Sequence, residues 1–122
     1  MIIRFLKVIL FCSILIKPVY AAENFVEGME DVPLAQGLNQ ISQDNISFGN
    51  EETRLLEAYF TAKNTKFESV ADFYRESLPQ LGWKYQGKRE DSLLFDRDGE
   101  TFELVRETKK PLIVRITVKT KP

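Results

Sequence analysis

Histidine is absent from the 122 residues, and cysteine occurs once, at Cys12. Without imidazole there is no Ser-His or Cys-His nucleophile pair, no ordinary general base and no common transition-metal ligand. A single cysteine excludes a disulfide framework, the usual support of small exported domains. Carboxylate sites for hard cations would remain, but no D-x-D-x-D-G loop is present. Asp96-Arg97-Asp98-Gly99-Glu100 comes nearest, and its length and Arg97 suit a hairpin turn better. No cofactor and no metal site is therefore expected. A long hydrophobic run is also missing, apart from one near the start.

That run reads as a secretory signal peptide over residues 1–21. Arg4 and Lys7 give a positive start, Val8 to Ile16 is apolar, and Val19-Tyr20-Ala21 places small residues where cleavage needs them. As a helix the apolar run would span roughly 14 Å at 1.5 Å per residue. That is about half of a ~30 Å hydrocarbon core, so cleavage is favoured over anchoring. Cys12 follows Phe11 where a lipidation site would want a small residue. The expected address is the periplasm, with no membrane span after cleavage and with Cys12 removed.

Basic residues are missing from a second region. Between Pro18 and Thr53 there is no Lys or Arg, against seven acids, Glu23, Glu27, Glu30, Asp31, Asp44, Glu51 and Glu52. The last seventeen residues reverse the balance, with Arg106, Lys109, Lys110, Arg115, Lys119 and Lys121 against Glu107. Loss of Arg4, Lys7 and Lys17 with the leader leaves 14 − 18 = −4. Net acidity argues against nucleic acid as a partner.

Residues 22–50 read as an acidic, largely irregular arm. Phe25, Val26, Met29, Val32, Leu34, Leu38 and Ile41 hold no lasting period, yet they are too apolar for a disordered linker. The remaining domain, 51–122, is of a size at which one core is marginal, so the arm is expected to pack on it. In the alternative, Met29, Glu30, Asp31, Val32, Pro33 and Leu34 form a docking segment for another protein.

Ser69 to Trp83 reads as one amphipathic helix. Val70, Phe73, Tyr74, Leu78 and Leu81 make its stripe, Ser69 and Asp72 its start, and Gly82 its end, with a tightened last turn at Pro79. A strand is expected before it at Thr53–Thr61, although Glu51 to Tyr59 also fits helical spacing; the run Tyr59-Phe60-Thr61 favours strand. Four strands are expected after it: Trp83–Gly87, Ser92–Arg97, Glu100–Glu107 and Leu112–Thr120. Asp98-Gly99 marks a two-residue hairpin turn. Val114, Ile116 and Val118 alternate with Arg115, Thr117 and Lys119, giving one wet face and a candidate edge at Val114–Lys121. The expected fold class is α+β, one amphipathic helix packed on a mainly antiparallel sheet of four to five strands, in the order β-α-β-β-β-β.

Val70, Phe73, Tyr74, Leu78, Gly82 and Trp83 compose V-x-x-F-Y-x-x-x-L-x-x-x-G-W. With a strand meander after it, this resembles a pattern in small exported proteins of Gram-negative bacteria. G-M-E-D-V-P-L-A-Q-G-L (Gly28 to Leu38) and E-A-Y (Glu57 to Tyr59) are similar to an uncharacterised family of the same kind. The resemblance implies a periplasmic home and an α+β fold. It assigns no activity and carries over no site residues.

Tyr59, Tyr74, Trp83 and Tyr85 are candidate pocket aromatics between helix and sheet, although aromatics at such spacings more often form core. Glu51-Glu52, Glu90-Asp91 and Asp96-Asp98 fall at or near predicted turns, where carboxylates are solvated and poor acid–base catalysts. Glu103 and Arg115 suit a cross-strand pair. No catalytic residue is identified. The residues favour a non-enzymatic periplasmic protein-binding or accessory module, with another exported or envelope protein as partner. The alternative is a small-molecule carrier or enzyme with a pocket under the helix.

Overall fold

The computed structural model describes residues 24–49 and 53–121, without the side chains of Glu30 and residues 42–48. The expected signal peptide lies outside the described residues, as do Glu51 and Glu52. The elements are β1 (Phe25–Val26), β2 (Met29–Pro33), β3 (Asn39–Gly49), β4 (Arg54–Ala62), α1 (Phe67–Ser77), a 3-10 turn (Leu78–Leu81), β5 (Lys84–Arg89), β6 (Ser92–Arg97), β7 (Glu100–Thr108) and β8 (Leu112–Thr120). One sheet holds six strands in the order β3-β4-β8-β7-β6-β5, and β1 and β2 form a second sheet of two. All pairings are antiparallel.

The expected α+β class is overturned. Strand residues far outnumber the 11 of α1 and the four of the 3-10 turn, and the main sheet has six strands rather than four or five. The chain is β-rich. Much of the difference lies in the segment expected to be largely irregular, which supplies β1, β2 and β3. Two features hide them from period counting: β1 is only two residues long, and the register of β3 shifts between Ile41 and Ile46. The β8 strand is not an edge either. It lies between β4 and β7, and the edges are β3 and β5.

Residues pointing toward α1 fill one face of the sheet. Leu56, Val118, Phe102 and Phe95 form one row across four strands, and Ala58, Ile116, Leu104 and Leu93 form the next. All eight are buried. The turn at Asp98-Gly99 fixes this register: both residues have positive φ, +44° and +82°, as a primed hairpin turn requires.

The helix begins two residues earlier than its sequence suggests. Lys66 takes the N-cap position in an extended conformation with no side-chain capping bond, so Ser69 lies inside the first turn. Phe67, Val70, Ala71, Tyr74 and Ser77 are its buried residues, while Phe73 is half-buried. Pro79 coincides with the change to 3-10 geometry, since it cannot donate the next helical hydrogen bond. Leu81 thereby leaves the stripe and is 41% exposed. Gly82 then reverses the chain at φ +95°.

Val26, Met29, Val32, Ala35 and Leu38, from β1, β2 and the loop after them, join the same core as the helix and sheet. Tyr74 is the tie between them. Its ring is 0% exposed and lies 5.7 Å from the Phe102 ring. Its hydroxyl donates to the Pro33 carbonyl at 2.7 Å and accepts from the Ala35 amide at 3.3 Å. Burial pushes its pKa far above the ordinary value, so the hydroxyl keeps its proton for Pro33. Tyr74→Phe keeps the ring but strands two buried backbone groups, a loss of about 1–3 kcal/mol. Urea unfolding followed by tryptophan fluorescence should show that loss as a lower midpoint with an unchanged slope.

Candidate functional site

Three segments that are far apart in the sequence meet at one end of the sheet. The β4 strand stops at Ala62, and Lys63 to Lys66 carry the chain into α1. Phe67 buries its ring at the start of the helix, and the Arg106 guanidinium sits 5.7 Å from that ring's centre. The turn Lys109–Pro111 between β7 and β8 forms the opposite wall, and Asn39 lies at the start of β3. Thr61 Oγ1 donates to the Leu112 carbonyl at 3.1 Å, tying the ends of β4 and β8 beneath the opening. Gly37 backs the Lys63–Lys66 loop so closely that a Cβ there would lie 2.4 Å from Thr65 Oγ1, and its φ of +93° also suits glycine.

The result is an open cleft of about 920 Å³. Lys63, Lys66, Arg106, Lys109 and Lys110 line it, against Glu68 as the one acid. Arg106 has its own partner in Asp91, at 2.5 Å. The four lysines have no carboxylate within ion-pair distance among the described residues. The positive end of the α1 macrodipole adds to the same sign. A concave cluster of ammonium groups holds an anion as an array of point charges.

A second charged group faces the opposite pole. Arg97 lies 4.2 Å above the Trp83 ring and donates to the Leu81 carbonyl at 3.0 Å and to Asp31 at 2.5 Å. Arg54 grips Glu100 through two bonds of 2.5 and 2.9 Å and lies 3.7 Å from Asp31. This network closes on itself and fastens β2 to β4, β6 and β7. On the sheet face turned away from α1, Arg115 is ringed by Glu107 at 2.7 Å, Glu57 at 3.7 Å and Glu103 at 3.8 Å. The last of these is the expected cross-strand pair, set diagonally.

The candidate residues from the sequence divide. Met29, Val32 and Pro33 are buried, Leu34 packs against the core, and Asp31 is held by Arg97 and Arg54. The Glu30 side chain lies outside the described residues. Tyr74 and Trp83 sit in the core, both against Phe102. Tyr85 continues that aromatic chain through Phe95 but is 42% exposed on β5. Tyr59 is not with them. It projects from the other face of the sheet, where its hydroxyl donates to Glu57 at 3.4 Å. Burial, helped by the Glu57 charge, raises its pKa. Asp91 and Asp96 are ion-paired with Arg106 and Lys121. Among the described residues no three His, Cys, Asp or Glu side chains are grouped to hold a metal ion. Sequence reading missed the cleft, although the basic C-terminal stretch signalled part of it.

No family model, curated protein or solved structure matches the chain. Among the described residues no helix is long and apolar enough to cross a membrane.

The Asp31 carboxyl provides a check on the network at the opposite pole. Burial alone would raise its pKa, but the hydrogen bond from Arg97, a backbone hydrogen bond and the Arg54 and Arg97 charges outweigh that and hold it below its ordinary value. A depressed folded pKa stabilises fully above the unfolded value of about 3.9, and the contribution is lost as pH falls through the folded value. Because Asp31 is 39% exposed, solvent screening limits it to about 1 kcal/mol or less. Asp31→Asn should lower the urea midpoint at pH 7, and the gap to the parent should close below about pH 4. An equal gap in acid would show that Asp31 acts through its hydrogen bonds alone.

Proposed function

We propose that this chain is a non-enzymatic binding module of the exported compartment, and that it holds an acidic segment of another exported or envelope protein in the cleft between β4, α1 and the β7–β8 turn. One observation carries this reading. Five cations and one acid line a concave surface, and four of those cations have no carboxylate partner among the described residues. Like charges gathered in this way repel one another in the free protein and are relieved by an anionic occupant. Arg54, Arg97, Arg106 and Arg115, by contrast, are each paired with an acid.

A carrier or enzyme with its pocket under the helix finds no support in the same place. Tyr74, Leu78, Trp83, Phe95 and Phe102 are fully buried there, and their rings pack on one another.

The reading is tested by charge reversal. Lys63→Glu with Lys109→Glu should weaken binding of immobilised poly-glutamate by at least about tenfold, since it replaces attraction by repulsion at the centre of the site. Lys84→Glu with Lys88→Glu changes net charge equally on β5 and should leave binding within about twofold. Equal losses in both variants would reduce the effect to net charge and sink the assignment of the cleft.

A further inference from the structure

The two edges of the six-stranded sheet are treated differently. An exposed edge invites another strand, and natural sheets block it with lysine, proline or bulges. The β5 edge is blocked by charge. It carries Lys84, Lys88 and Arg89 in six residues. The β3 edge is the longer of the two, at 11 residues, and contains no lysine, arginine or proline. Both edges also carry a register shift, and that of β3 is the larger, setting residues 42–45 against Ala58 alone. Its regular ladder is limited to Asn39–Ile41 and Ile46–Gly49, and the two edges differ in charge. Among the described residues β3 pairs only with β4. The β1–β2 turn reaches it through the Gln40 side chain, which accepts from the Glu27 amide and donates to the Glu27 carbonyl. That contact uses the Gln40 side chain and no main-chain group of β3. At its first residue, Asn39, this edge opens into the cationic cleft.

We infer that β3 accepts an extended acidic segment of the partner protein as a seventh strand, its main chain paired to the β3 edge at Asn39–Ile41 and its carboxylates beyond Asn39 lying over Lys63 and Lys66. The inference rests on the binding function proposed above and adds the conformation of the bound segment. Strand addition supplies affinity through main-chain hydrogen bonds, and side-chain pockets supply selection. Here selection comes from charge. A second copy of this chain is the poorer occupant of the edge. Its β3 offers one charged residue, Asp44, to the identical residue opposite, and residues 18–53 contain no cation.

The test uses the mature chain and a fluorescent alternating Glu-Val dodecapeptide. Binding is read by anisotropy and main-chain pairing by amide hydrogen exchange. The peptide should bind, Lys63→Glu with Lys66→Glu should weaken it at least about tenfold, and saturating peptide should slow exchange of the outward amides of β3 by about tenfold or more. Charge-dependent binding with β3 exchange unchanged would overturn the strand addition and leave the cleft standing. No binding, or binding indifferent to the lysine reversals, would overturn both. A dimer in light scattering, with β3 already protected in the absence of peptide, would assign the edge to a second copy and overturn the inference.

Discussion

The hydroxyl of Tyr74 joins the N-terminal segment to the helix from inside the core. It stands in the middle of the only α-helix among the described residues and bonds both ways, to Pro33 and to Ala35. A phenol buried this deeply is costly unless its polar atom is satisfied. The N-terminal segment must therefore lie over the helix, and Val26, Met29 and Val32 are buried with it. About seventy residues of helix and sheet would otherwise have to fold around a core of marginal size. The segment supplies the missing apolar surface, and Arg97 closes its far end through Asp31.

The distribution of charge follows from that closure. Asp31 is drawn into the Arg54–Arg97–Glu100 network, on the side where the 3-10 turn ends. Arg115 gathers three more acids on the open face. Little negative charge is left for the entrance to α1, where Glu68 alone faces five cations. Repulsion among exposed lysines is modest at physiological salt, so the fold can hold such a cleft without unfolding. An incoming carboxylate then meets uncompensated charge rather than an ion pair it must first displace.

The meander was the most legible part. β6 occupies Ser92–Arg97, and β8 occupies Leu112–Thr120, the spans their alternation implies. Asp98-Gly99 leaves few choices of turn, and Pro79 with Gly82 marks the end of the helix. The start of the helix was less legible, because Lys66 caps it with main chain alone while Ser69, a better capping residue by type, stands inside the first turn. β3 escaped notice because its register shifts between Ile41 and Ile46, and period-two counting fails across such a break. The cleft escaped because its cations come from 63–66, 106 and 109–110. A linear count credits Arg115, Lys119 and Lys121 to the same basic stretch, yet Arg115 serves the opposite face and Lys121 pairs with Asp96. The placement of Tyr59 was within reach. It alternates with Ala58 and Phe60, and once those two are assigned to the core, Tyr59 must lie on the other side.

The two edges of the sheet, one with cations and one without, also differ in their place in the topology. From β4 the chain crosses the face of the sheet as α1 and emerges at β5, then returns strand by strand until β8 pairs with β4. The far edge, β5, is reached by a short strand just after a buried tryptophan, and its three cations keep it solitary. β3 is outside this circuit. It pairs antiparallel with β4 and contributes no strand to the closing pair β4–β8. A strand added beside it would extend the sheet without disturbing the circuit that holds the core. Basic residues that discourage pairing stand on β5 and are missing from β3, the edge that leads into the positive cleft.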